Sequence, residues 1–176
     1  MTYRPICDVW VLARSKVPYY GAYPAGFLHR ARALLGVNIY QPVLHVCGGR
    51  VRDYPYAGFG LNDKTLDLDP DCNPDFLQDA RDPFPLYAGD FPWPAVLIDR
   101  PYGLEEAKHY MPGPDLLPEA NKLLRNALDV VNVGNKVGML DYLWPHPGKL
   151  GKEVAVVAVG TGRNNRARWF TVFEKL

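Results

Sequence analysis

Apolar residues in this chain fall into short blocks of two kinds, cut apart by proline and glycine. Val43-Leu44-His45-Val46-Cys47, Ala95-Val96-Leu97-Ile98 and Glu153 to Val159 are near-continuous apolar runs rich in β-branched residues, the pattern of strands buried on both faces. Lys64 to Leu68, Asp75 to Gln78 and Lys136 to Tyr142 read as further strands, and Ile6 to Leu12 as a short strand or extended arm with Asp8 its one misfit. Helical spacing appears twice. Phe27, Leu28, Ala31, Leu34 and Leu35 define a helix from Ala25 to Leu35 stopped by Gly36, and Ala120, Leu123, Leu124, Ala127, Leu128 and Val131 define one from Pro118 to Val131. Gly134-Asn135 is read as the turn leading into the strand at Lys136. The link between Glu153–Val159 and Arg168–Phe173 is short enough to force an antiparallel pair. The pattern predicts an α/β fold: a Rossmann-like, mostly parallel sheet with a C-terminal antiparallel hairpin and reduced helices on one face.

A chain of 176 residues with 48% apolar and 22% charged residues suits one folded domain. Residues 1–41 form an N-terminal arm, an aromatic loop and a helix; residues 42–176 form the core. With 17 prolines and 16 glycines, long helices should be few. The loop Lys16 to Pro24 gathers Pro18, Tyr19, Tyr20, Gly21, Tyr23 and Pro24, and can either cover a flat ligand or plug the edge of the core. The net charge of +1 limits any nucleic-acid contact to local basic patches, such as Arg30 with Arg32, Arg50 with Arg52, or Arg163, Arg166 and Arg168 at the hairpin tip. Cys7, Cys47 and Cys72 show no CxxC spacing, and His29, His45, His109 and His146 no ligand spacing, which argues against a disulfide framework and a metal site. The charged N-terminus and the lack of an apolar run near ~20 residues predict a cytoplasmic protein without a membrane span.

The chemistry gathers where strands end. The first buried strand runs into Gly48-Gly49, which lets backbone approach a ligand closely. Asp67 ends the next strand, roughly 20 residues on, where nucleoside-binding folds place a ribose-binding carboxylate. Asp79-Ala80 follows the third, and Asp99-Arg100-Pro101-Tyr102 ends the fourth. In an open parallel sheet these tips share one rim, outside which ligands bind.

From Pro42 to Leu176 the order of pieces resembles the class I S-adenosylmethionine-dependent methyltransferases, and Asp99-Arg100-Pro101-Tyr102 resembles the Asp-Pro-Pro-Tyr signature of small phage-type DNA methyltransferases that act on the exocyclic amine of adenine or cytosine. The resemblance implies S-adenosylmethionine as cofactor and a nucleic acid, DNA above all, as partner. It implies that Cys47, Gly48 and Gly49 lie under the cofactor's methionine, that Asp67 accepts its ribose hydroxyls, and that Asp79 and Ala80 meet its adenine. Asp99, with the carbonyl that follows it, would accept from the target amine in a turn held by Pro101, and Tyr102 would stack on the base. Arg100, Arg163, Arg166 and Arg168 are the candidate phosphate contacts. Four departures stand out: Arg100 replaces a proline, the glycine turn is abbreviated, the helix after the second strand is missing, and no segment could form a separate recognition domain. A catalytically degenerate binding module, and a methyltransferase of RNA or another substrate, are the alternative readings.

Overall fold

The structure, a computed structural model, describes residues 4–17, 21–107, 117–161 and 167–176. Its centre is an eight-stranded sheet in the order β1-β7-β8-β6-β5-β2-β3-β4. The strands are β1 Ile6–Leu12, β2 Val43–Val46, β3 Lys64–Asp67, β4 Phe76–Leu77, β5 Trp93–Ile98, β6 Val131–Asp141, β7 Gly151–Thr161 and β8 Arg168–Lys175. Every pairing is parallel except those of β8, which runs against β6 and β7. The mostly parallel sheet with a C-terminal hairpin is therefore observed. Ile6–Leu12 is a strand, paired with β7 at the sheet edge.

Three helices are described: α1 Phe27–Leu35, α2 Leu104–Ala107 and α3 Ala120–Asp129. The strand pleat sorts the core into two halves. Val43, Ala95, Leu97, Phe170 and Val172 pack with Phe27, Leu28, Ala31 and Leu35 of α1. Leu44, Val46, Val96, Ile98, Met139 and Phe173 pack with Leu123, Leu124, Ala127 and Leu128 of α3. Each face thus owes its cover to one amphipathic helix. Among the described residues, the other connections are short 3-10 turns, Val51–Asp53 and Pro70–Cys72, or irregular chain.

Several boundaries differ from the sequence reading: α1 starts at Phe27 and not Ala25, β7 starts at Gly151 and not Glu153, and α3 ends at Asp129, so that Val131, read as the last helical residue, opens β6. Gly134 is not a turn before a strand; β6 begins at Val131, and Gly134 sits inside it at φ 84. The register against β5 jumps from Trp93↔Val131 to Ala95↔Lys136. Pro94 lies in that gap, and a proline has no N–H for the ladder, so the partner strand bulges away there. Within the bulge Asn135 Nδ2 donates to the Trp93 carbonyl at 3.1 Å.

Where β2 passes to β3, irregular chain takes the place of a helix. Its anchor is Asp63, whose side chain is fully buried. Asp63 Oδ1 accepts from Arg32 Nη2 of α1 at 3.1 Å and from the Val43 N–H at 2.9 Å. Its Oδ2 accepts from the Gly60 N–H at 2.7 Å and from His45 Nε2 at 3.0 Å. The loop lies so close on α1 that a Cβ on Gly58 would stand 2.7 Å from the His29 nitrogen. One carboxylate thereby ties β2, α1 and the loop together and fixes where the Gly48-Gly49 turn stands.

Candidate active site

The parallel strands β2, β3, β4 and β5 all end at one rim, and the pocket there is lined by Cys47, Gly48, Gly49, Asp67, Asp79, Ala80, Asp99 and Pro101. These predicted cofactor and catalytic residues come together from four consecutive strand ends. Gly21, Tyr23, Tyr54 and Asp69 complete much of the wall.

The turn after β2 is strained. Cys47 has φ 52 and Gly49 φ 50, and the former is a left-handed conformation that residues with a Cβ rarely adopt. Gly48 has no room for a side chain: a Cβ would sit 3.0 Å from the His45 carbonyl oxygen and 3.2 Å from Thr65 Cγ2. This kink brings bare backbone to the pocket wall. It is held by Asp67, whose Oδ2 accepts from the Gly49 N–H at 2.8 Å and whose Oδ1 accepts from the Asp69 N–H at 3.0 Å. Burial raises the Asp67 carboxyl, and those backbone hydrogen bonds pull it back. A carboxylate has about four lone-pair sites, so acceptor capacity remains toward the pocket.

Asp79 is the more open acid. Arg81 donates to both of its oxygens, and that hydrogen bond is the main cause of its lowered pKa. Asp99 lies deepest. Burial pushes its carboxyl up to about 6, opposed by the charge of Arg168 and a hydrogen bond from Tyr102. Tyr102 Oη donates to Asp99 Oδ1 at 2.5 Å and accepts from Arg168 Nη1 at 2.9 Å, while its ring rests against Tyr142 with centroids 4.5 Å apart.

Two arginines stand elsewhere than the sequence reading placed them. Arg100 is not a phosphate contact: it is 2% exposed, with Nε donating to Asp141 Oδ2 at 2.7 Å and Nη1 to the Pro101 carbonyl at 3.1 Å. These bonds tie it to the end of β6 and to its own turn, bracing the turn that a proline ring would otherwise stiffen. Arg168 is not at a free hairpin tip but is mostly buried against Tyr102. Arg163 and Arg166 lie outside the described residues, as do Pro18, Tyr19 and Tyr20 of the aromatic loop.

That loop plugs the core and lines the site at once. Tyr23 stacks on Phe27 with centroids 5.1 Å apart and also lines the pocket, and its Oη is buried without a hydrogen-bond partner among the described residues. Burial raises the Tyr23 and Tyr54 hydroxyls, and the Asp99 charge raises them further. Neither tyrosine stood out in the sequence as a site residue; the only signal was the clustering of aromatics with glycine and proline.

The lining holds four aspartates, Asp67, Asp69, Asp79 and Asp99, and among the described residues no lysine or arginine. Such a wall suits a ligand that carries positive charge and hydroxyl or amine donors. No group of three or more His, Cys, Asp or Glu among the described residues is placed to hold a metal ion.

No family model and no curated protein matches the sequence. Solved structures do match the fold. TrmN from Thermus thermophilus aligns over 85% of this chain with a TM-score of 0.59 and 20% identity; the chain spans 48%, about half, of TrmN's length. An rRNA methylase from Streptococcus thermophilus aligns over 88% of this chain and 99% of its own, with a TM-score of 0.53 and 12% identity. The N-methyltransferase NodS from Bradyrhizobium japonicum WM9, solved with S-adenosyl-l-homocysteine, aligns over 84% of this chain and 85% of its own, at 0.53 and 8%. The fold is that of the S-adenosylmethionine-dependent methyltransferases.

Proposed function

We propose that this chain transfers the methyl group of S-adenosylmethionine to an exocyclic amine of a nucleic-acid base, adenine in DNA being the substrate that the Asp99-Arg100-Pro101-Tyr102 signature favours. The observation that carries this reading is the order of acids along the rim. A strained glycine turn, Asp67, Asp79 and Asp99 follow one another on β2, β3, β4 and β5 around a single pocket. In that order Gly48 and Gly49 face the methionine end of the cofactor, Asp67 accepts from its ribose, and Asp79 with Ala80 meets its adenine. The acidic wall favours a ligand with both a sulfonium and an ammonium charge.

Asp99 and Pro101 then lie where the target amine docks. Methyl transfer is an in-line displacement at a sulfonium carbon, so alignment supplies most of the acceleration. An amine conjugated with a base ring is a weak nucleophile. Hydrogen bonds from its protons to Asp99 and to the Arg100 carbonyl turn its lone pair out of the ring, and Tyr102 offers a stacking surface for a base taken out of its stack. Arg100 does not count against catalysis, since its guanidinium is turned into Asp141.

An RNA substrate is the second reading, favoured by the neighbour named as an rRNA methylase. The deciding experiment is calorimetric titration of S-adenosylmethionine into the wild type and Asp67→Ala, followed by methyl transfer to single-stranded DNA and RNA oligonucleotides. Binding that Asp67→Ala weakens, with transfer to one of the two polymers, is the expected result. A folded wild type that binds no S-adenosylmethionine, alone or with nucleic acid, refutes it and leaves a degenerate binding module.

A further inference from the structure

Asp99 is capped by a residue of its own turn. Tyr102 Oη donates to the Asp99 carboxylate, and the oxygen of that hydroxyl accepts from Arg168, whose guanidinium also stands 5.9 Å from the centroid of the Tyr102 ring. The Tyr142 ring also packs against it, with centroids 4.5 Å apart. Arg168 can reach this place only because β8 is reversed. In an antiparallel strand the first residue lies at the rim where the parallel strands end, and the register Asp141↔Trp169 sets Arg168 one residue beyond the end of β6. The bond spans 66 positions of sequence.

We infer that Arg168 is a positioning residue, holding the Tyr102 hydroxyl on Asp99 as a stand-in for the acceptor amine, which must displace that hydroxyl in order to dock. This rests on the reading of Asp99 as the amine's acceptor. The exchange is one hydrogen bond for another of the same type: Oη–H to carboxylate is replaced by N–H to carboxylate, and no proton changes owner. Until then the cap keeps the carboxylate ionised and water away from it. Once displaced, the Tyr102 ring is free to turn onto the incoming base. The same chemistry sets a selectivity: only an acceptor whose donor competes with a phenol already held by a guanidinium gains the site.

Among the described residues, the groups facing Asp99 are Tyr102 on its own turn, Arg168 on β8, Asp141 at the end of β6, Cys47 after β2, and Tyr23 and Tyr54 from the arm and the loop. Asp141 is itself paired with Arg100. Arg168 and Tyr102 are therefore the groups that favour the Asp99 anion, and removing either must raise its titration midpoint.

Two measurements test the latch. The first needs no acceptor: the carbon-13 carboxyl resonance of Asp99 is followed against pH in the wild type, Tyr102→Phe, Arg168→Met and Arg168→Lys. Midpoints higher in Tyr102→Phe and Arg168→Met, with Arg168→Lys recovering part of the shift, are expected. The second is steady-state methylation of a single-stranded adenine-containing oligodeoxynucleotide at pH 8, where Asp99 is ionised. Tyr102→Phe keeps the ring but removes the competing hydroxyl, so KM for the oligonucleotide should fall by about tenfold, a single hydrogen bond to a charged group. S-adenosylmethionine affinity should stay within about twofold, since the cap bonds to Asp99 and to none of the residues assigned to the cofactor.

Identical Asp99 titration in the wild type and Arg168→Met, or a Tyr102→Phe KM equal to or above that of the wild type with cofactor binding intact, overturns the latch. A wild type that methylates no oligonucleotide overturns the proposed reaction instead, and the carboxyl titration still decides the latch.

Discussion

Replacing Asp63 with asparagine tests how a fold with few helices holds its site. The change keeps the shape of the side chain but removes its charge, leaving Arg32 with 6% exposure and no counter-ion. Burial already lowers the Arg32 pKa, and the Asp63 charge is what raises it again. Breaking a buried pair from one side typically costs about 3–5 kcal/mol, and here the Val43 and Gly60 N–H groups also lose a charged acceptor. With a urea m-value of about 2 kcal/mol/M for a domain of this size, the unfolding midpoint should drop by about 1.5–2.5 M. A total stability of about 5–15 kcal/mol leaves the variant folded in the cold but fragile at growth temperature. Urea unfolding followed by tryptophan fluorescence measures the shift.

The double variant Asp63→Asn with Arg32→Met removes both charges, so its loss should be smaller than the sum of the single losses by about 2 kcal/mol. Because the loop fixed by Asp63 carries Gly49 and Tyr54 to the pocket, cofactor affinity should fall as well. A single-variant loss below about 1 kcal/mol, or a double variant that is simply additive, would refute the claim that this carboxylate replaces a helix as the loop's anchor.

Other consequences can be checked separately. Asp99→Ala should abolish methyl transfer in a radiolabel assay while calorimetry shows S-adenosylmethionine affinity within a few-fold of the wild type. The transfer rate should fall as pH drops through about 6, the Asp99 value, because only the carboxylate accepts from the amine; an acid limb nearer pH 4 would contradict this. The sign for stability is opposite: burial raises this carboxyl above its ordinary value of 3.8, so the native state binds the extra proton and stability falls as pH rises from 3.8 to about 6. Asp67→Ala should weaken cofactor binding by about tenfold or more, from losing hydrogen bonds to a charged acceptor and freeing the Gly49 turn. Gly48→Ala should cost about 1–3 kcal/mol in urea unfolding because its Cβ meets the His45 carbonyl and Thr65.

The sequence by itself determined the strands, both long helices, the hairpin and the acids that end β3, the β4 segment and β5. These follow from local periodicity and from where proline and glycine interrupt it, which neighbours a few residues away decide. Val96 to Ile98 is apolar on both faces, so it had to be a central strand; Asp99 had to lie at its end. Tertiary structure decided what those acids touch. Arg100 looked like a cation beside the site because its partner Asp141 is 41 positions away. Arg168 looked like a hairpin-tip phosphate contact until the reversal of β8 carried it to Tyr102. Asp63, before β3, did not stand out in the sequence, since nothing local pairs it with Arg32, 31 positions earlier. Tyr23 gave no sign that it would both join the core and line the pocket. Burial and ion pairing depend on distances across the sheet, and those are set by register and strand direction, which no short window of residues contains.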